Sequence, residues 1–165
     1  MPDFTESITI EATPDRLYAL VSDLPRMGEW SPECTRVTWT SGTTAAVAGA
    51  RFIGHNRAGV VRWFTQGEVL EASPGHRFAF RIHFGPIPIA VWRYDFTPTA
   101  GGCELTESWT DHRPTALRPA FRWLFGNRRQ RNQAGIHHTL ATLKSAAEAP
   151  SVEDETPGGR TDGVG

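Results

Sequence analysis

Between residues 77 and 109 a large apolar side chain falls at almost every second position, with a short Gly-Pro break in the middle. Phe78, Phe80, Ile82 and Phe84 share one parity. After the break Trp92, Tyr94 and Phe96 share one, then Leu105 and Trp109. Period-two alternation marks strands with one buried and one wet face. So many wide side chains on a single face require either a bulky opposing element or a cavity. Deciding between these two is the functional question the sequence poses.

The chain of 165 residues suits one domain with a real core. Its formal net charge of -1 gives no global attraction to nucleic acid or anionic membrane. The Pro/Gly-rich stretch 149–165 carries four acids (Glu153, Asp154, Glu155, Asp162) against one base, Arg160, and is read as a disordered tail after a single domain over 1–148. Cys34 and Cys103 are far apart and lack metal spacing, so two free thiols in a reducing compartment are expected. Met1-Pro2-Asp3-Phe4 does not read as a signal peptide. No apolar run approaches the roughly 20 residues of a membrane span. A cytoplasmic protein, monomer or homodimer, is the expectation.

Residues 4–11 alternate as a first strand. Thr13-Pro14-Asp15 then starts a helix: Thr13 caps, Pro14 suits the first helical position and Asp15 suits the positive helix end. A second short helix spans 26–30. Strands follow over 35–40, 51–57, 61–72, 76–84, 89–97 and 103–111, with 85–88 as a loop. Residues 115–148 are helical in pattern. Leu117, Phe121, Leu124 and Phe125 form one stripe; Ile136, Leu140, Leu143 and Ala147 form another, with a bend expected near Gly126. Consecutive strands with tight turns predict an α+β fold. Its curved antiparallel meander of about seven strands wraps a long C-terminal helix, and two short helices follow strand one.

Particular segments carry a resemblance: Ile8-Thr9-Ile10-Glu11-Ala12-Thr13-Pro14 into Leu20-Val21-Ser22-Asp23; Pro25 through Trp30-Ser31-Pro32; Gly49-Ala50-Arg51-Phe52-Ile53-Gly54; Glu71-Ala72-Ser73-Pro74-Gly75-His76-Arg77-Phe78; Thr106-Glu107-Ser108; and Thr139-Leu140 with Leu143-Lys144. Over roughly residues 3–148 the chain resembles the START-like superfamily with the helix-grip fold, often labelled SRPBCC, in its polyketide cyclase/dehydrase-like branch. The resemblance implies an elongated cavity between sheet and long helix. That superfamily includes lipid and hormone carriers, ubiquinone-binding proteins and aromatase/cyclases.

Glu107 is the sharpest residue for chemistry. It shares parity with Leu105 and Trp109, so an inward face carries a carboxylate, which costs several kcal/mol unless it is paired or protonated. It serves either as a cavity acid/base or ligand anchor, or as the structural partner of an arginine such as Arg128. Asn56 shares parity with Phe52 and Gly54; His55 falls on the other face unless a bulge intervenes. Gly135 in a helix interior costs about 1 kcal/mol against Ala, justified by room for a ligand or by close packing on a strand. Asn132 and Thr139 lie near its azimuth. The candidate lining is Trp39, Asn56, Trp63, Phe80, Phe84, Trp92, Tyr94, Trp109, Phe121, Phe125, Asn132 and Gly135. Such wide rings suit an aromatic, isoprenoid, polycyclic or lipid-like guest.

Arg122, Arg128, Arg129 and Arg131 form a basic run without interleaved aromatics, which argues for a solvated face and against single-strand nucleic-acid binding. The apolar loop 85–89 reads as a lid, a rim making transient membrane contact, or a packed hairpin turn. There is no phosphate loop, nucleophile elbow or HExxH, and the histidines (55, 76, 83, 112, 137, 138) lack ligand spacing. Neither metal nor cofactor is expected. The leading reading is a binder of a hydrophobic small molecule. Its rivals are a cyclase/dehydratase-type enzyme using Glu107, helped by Asn56 or His55, and a protein-interaction module.

Overall fold

The computed structural model describes residues 1–40, 42–119 and 128–149, with Arg128 by its backbone alone. The elements are β1 (Phe4–Ile10), α1 (Pro14–Ser22), a 3-10 segment (Leu24–Glu29), β2 (Cys34–Trp39), β3 (Arg51–Ala58), β4 (Val61–Ser73), β5 (Arg77–Phe84), β6 (Ile87–Thr99), β7 (Gly102–Asp111), a 3-10 turn (Thr115–Leu117) and the helix α2 (Arg128–Glu148). All strands join one curved antiparallel sheet in the order β1-β7-β6-β5-β4-β3-β2. The α+β helix-grip architecture is therefore as the sequence indicates.

Thr13 caps α1, its Oγ1 accepting the Arg16 backbone N–H at 3.2 Å, and Pro14 occupies the first turn. Removing the acceptor exposes an orphan donor, so Thr13→Ala is expected to lower stability by about 1 kcal/mol in a denaturant titration with the slope unchanged. The segment read as a second short helix over 26–30 is a 3-10 segment beginning two residues earlier, with Pro25 in its first turn.

The 85–88 loop is shorter than its composition suggests. Only Gly85-Pro86 turn; Ile87 and Pro88 already belong to β6, opposite Phe84 and His83. Pro88 is tolerated there because the register shifts between Ile82 and His83, at an irregularity where a missing donor costs little.

Helix α2 buries Ile136, Leu140, Leu143 and Ala147, the second predicted stripe. Of the first stripe, Leu117 is exposed; Phe121, Leu124, Phe125 and the Gly126 bend lie outside the described residues. The helix packs on β1, β7 and α1. Lys144 Nζ donates to the Thr9 carbonyl at 2.7 Å, and Glu148 accepts the Glu11 backbone N–H at 2.9 Å. The helix thus leans toward one edge of the sheet. Among the described residues, α1 packs on β5 and β6, with Tyr18 edge-on to Phe78 and Phe96, and the 3-10 segment packs on β2, while α2 does not cover the aromatic ends of β3 to β6 nearest the β3–β4 turn.

Candidate functional site

The β6–β7 register sets Tyr94 directly opposite Glu107. Opposite residues of an antiparallel pair hold their Cβ atoms about 5 Å apart, within reach of a phenol and a carboxyl. Tyr94 Oη donates to Glu107 Oε1 at 2.8 Å, and both side chains are buried. The second oxygen, Oε2, has no hydrogen-bond partner among the described residues, and Glu107 lines a cavity of about 110 Å³. Burial pushes the Glu107 carboxyl up to about 8; the Tyr94 hydrogen bond opposes this, and the carboxylate of Glu6, across the ladder on β1, adds to it. Burial and the neighbouring carboxyl also hold the Tyr94 phenol well above its usual range. Glu6 is itself tied to α2 by His137 Nδ1, at 2.8 Å. The site therefore presents a neutral phenol and a carboxyl that is mostly protonated near pH 7.

The remaining walls are largely apolar. Phe52, Phe80, Ile82 and Trp92 come from the sheet, Met27 and Trp30 from the 3-10 segment and its end, and Gly135 and Thr139 from α2. Asn56 also lines it; its Nδ2 donates to the Gly54 carbonyl at 3.2 Å and to Thr65 Oγ1 at 3.3 Å. Cys34 also borders the cavity; burial pushes its thiol up to about 11, so it stays protonated and is a poor nucleophile. Cys34 and Cys103 are both free and buried. At the rim Arg131 pairs with Glu33 at 3.1 Å. A Cβ built on Gly135 would meet only Pro32 Cγ, at 3.7 Å. This glycine opens space to the cavity instead of permitting close approach to a strand.

Of the residues singled out from sequence, Asn56, Phe80, Trp92, Tyr94, Glu107 and Gly135 converge on this cavity. Trp39 stands behind its wall, edge-on to the Phe52 ring at 6.0 Å. Trp109 is buried, with its Nε1 unpartnered among the described residues, and Asn132 is buried; neither borders the cavity. Trp63 lines a shallow groove with His55, Arg57 and Arg62. Phe84 is half exposed and leans on Phe64, centroids 5.9 Å apart. Phe121, Phe125 and the Arg128 side chain lie outside the described residues. Of the basic run, Arg131 is engaged by Glu33, and Arg129 reaches the Asp3 carbonyl at 3.5 Å. Sequence reasoning did not place Met27, Trp30 and Cys34 at the cavity. The one available signal was Trp30-Ser31-Pro32, an aromatic just before a chain reversal into an edge strand.

Among the described residues no group of three His, Cys, Asp or Glu side chains is arranged for a metal ion, and no helix is long and apolar enough to cross a membrane. The family model described as polyketide cyclase / dehydrase and lipid transport matches residues 1–148. The chain belongs to that family. A polyketide cyclase-like protein from Corynebacterium glutamicum, solved by NMR, is similar to this family member at 35% identity, with 88% of each chain covered and a TM-score of 0.56. An uncharacterized protein of Mycobacterium tuberculosis is 28% identical over 120 residues, 71% of this chain and 70% of that one. The di-domain ARO/CYC protein StfQ of the steffimycin biosynthetic pathway superposes with a TM-score of 0.69 at 16% identity. That match covers 88% of this chain and 50% of StfQ, and at such identity it shows the fold.

Proposed function

We propose that this protein takes up a small hydrophobic molecule, seating one aromatic ring or isoprenoid end among Phe52, Phe80, Trp30 and Trp92, with an oxygen of the guest hydrogen-bonded by Glu107. The observation that carries this is the buried Oε2 of Glu107, unpartnered among the described residues at the wall of a largely apolar cavity. A buried polar atom left alone costs about 1–3 kcal/mol, and a guest hydroxyl or carbonyl offsets that cost. The volume bounds the guest. About 110 Å³ is close to the ~150 Å³ void that admits one benzene ring and well below the ~300 Å³ of drug-sized pockets. A polycycle enters only if the rim opens.

Native mass spectrometry of freshly purified protein, with organic extraction of anything retained, tests the reading; protein that neither carries nor takes up any aromatic or prenyl compound overturns it. Gly135→Leu sharpens the test. The leucine fills the cavity while removing a helix-interior glycine that costs about 1 kcal/mol. Affinity for 4-methylphenol, read by tryptophan fluorescence, is expected to fall more than tenfold with no loss of melting temperature.

The second reading is a cyclase or dehydratase activity with Glu107 as general acid/base. It is favoured by a carboxyl titrating near 8 beside a neutral phenol, since both protonation states are then accessible near neutrality. The family description, polyketide cyclase / dehydrase and lipid transport, supports the same direction. Loss of turnover in Glu107→Gln with guest binding retained separates this activity from simple carriage.

A further inference from the structure

The β3–β4 and β5–β6 hairpins turn side by side at one end of the sheet, because β4 and β5 are neighbours. Their tips are unusually apolar. Val60, at the β3–β4 turn, is 97% exposed; Val61, Phe64 and Phe84 are about half exposed, at 51%, 52% and 49%. Tight hairpin turns favour Gly, Asn and Asp, so a valine standing in water beside Gly59 gains nothing from local structure. The Phe64–Phe84 ring contact at 5.9 Å joins the two tips into one patch.

The charge around the patch has one sign. Residues 54–67 and 82–94 contain no Asp or Glu. Arg57 and Arg62 flank Val60, and Arg36 borders the groove beside them. In a chain of net charge -1 this is a local basic end. Arg57 is braced by its Nε bond to the Gly59 carbonyl at 2.9 Å, so it stands beside the turn. The flanking acids are engaged: Glu68 pairs with Arg81 at 2.8 Å and Glu33 with Arg131 at 3.1 Å.

This end also holds the cavity rim. The Arg57 backbone N–H donates to the Glu33 carbonyl at 2.8 Å, and Asn56 borders both the cavity and the basic groove. We propose that the two hairpin tips dock on an anionic lipid surface: Val60, Val61, Phe64 and Phe84 enter the interfacial layer, Arg57 and Arg62 meet lipid phosphates, and the cavity rim faces the membrane. Apolar side chains rimmed by arginine without acid are the complement of an interface with apolar depth and negative headgroups.

Flotation of the full chain with vesicles tests this. Binding is expected to vesicles of phosphatidylcholine with about a third phosphatidylglycerol, weak binding to phosphatidylcholine alone, and release at high salt. Arg57→Glu with Arg62→Glu is expected to weaken binding more than tenfold. Val60→Asp, at an exposed turn where the fold tolerates it, is expected to do the same with an unchanged melting temperature. Equal binding to both vesicle types, binding to neither, or indifference to both variants overturns the proposal. So does sedimentation showing that the patch closes a dimer lost in Val60→Asp, or binding to poly-aspartate without vesicle binding, which marks an acidic protein partner. Guest retention in native mass spectrometry is read independently and is not moved by this outcome.

Discussion

Glu107→Gln is expected to make the protein markedly more resistant to alkaline conditions. The carboxyl titrates ordinarily near 4.5 and in the folded protein near 8. Between those values the unfolded chain has released a proton that the folded protein keeps. Raising the pH therefore favours unfolding, so stability from this group is highest below about pH 4.5, declines through the window to about 8, and levels off above it. At about 1.4 kcal/mol per unit, the decline between pH 5 and 7.5 is about 3 kcal/mol. Glutamine removes the titration while its side-chain carbonyl still accepts from Tyr94. It leaves an amide N–H₂ facing the cavity, a cost of about 1 kcal/mol. The variant is thus slightly less stable than the parent at pH 5 and more stable at pH 8, by an amount on the order of 10 °C in melting temperature. The groups facing Glu107 are Tyr94 on β6, Glu6 on β1, whose partner on α2 is His137, and, near Tyr94, Cys34 on β2. The same neighbours surround position 107 in parent and variant, so the difference between the two melting curves reports the loss of the Glu107 carboxyl. Parallel pH profiles for parent and variant would show that Glu107 is not desolvated.

The same proton has a functional consequence. While Glu107 is protonated, Oε2 carries a hydrogen and donates to a guest carbonyl; once ionised it accepts from a guest hydroxyl. A guest with only acceptor oxygens is therefore expected to bind more weakly as the pH passes 8, whereas a phenol or alcohol is less affected. Binding measured on both sides of that pH thus separates acceptor guests from donor guests.

Much of this arrangement is readable from parity. Phe78, Phe80, Tyr94, Phe96, Leu105, Glu107 and Trp109 are all buried, as alternation requires, and Asn56 rather than His55 borders the cavity. Parity fails where the ladder is irregular or ends. Phe84 follows the register shift at Ile82/His83, and at the hairpin's end it meets Phe64 instead of the cavity. The Tyr94–Glu107 bond is a matter of register between two strands, which alternation within each strand does not specify. Placing the β6–β7 turn at Ala100-Gly101, rather than stopping the strand at Pro98, would have paired them. Met27 and Trp30 reach the cavity through the path of a non-periodic segment over β2, which leaves no repeat in the sequence, and Cys34 does so at the first position of β2, beside the register shift between Cys34 and Arg36.

Gly67→Ala is expected to be among the most damaging small substitutions in the sheet. Glycine inside a strand normally weakens it, since it brings backbone entropy and no side chain to pack. Here the Phe52 ring lies over the Gly67 Cα, so a Cβ at this position would occupy the space of the ring itself. The ring has no easy retreat: Trp39 packs edge-on to it at 6.0 Å and Phe80 at 5.7 Å, and Phe52 is 3% exposed. Overpacking of a buried ring costs about 1–3 kcal/mol, lowering the melting temperature by several degrees. Because Phe52 also lines the cavity, the route open to the ring leads into the space a guest would use, so Gly67→Ala is expected to weaken 4-methylphenol binding as well. Phe52→Leu in the same chain relieves the collision. The double variant should be more stable than the sum of the two single losses predicts, with a coupling of about 1 kcal/mol or more in a double-mutant cycle. Strict additivity would mean that the ring and the glycine do not constrain one another, and that Phe52 is free to leave the cavity wall.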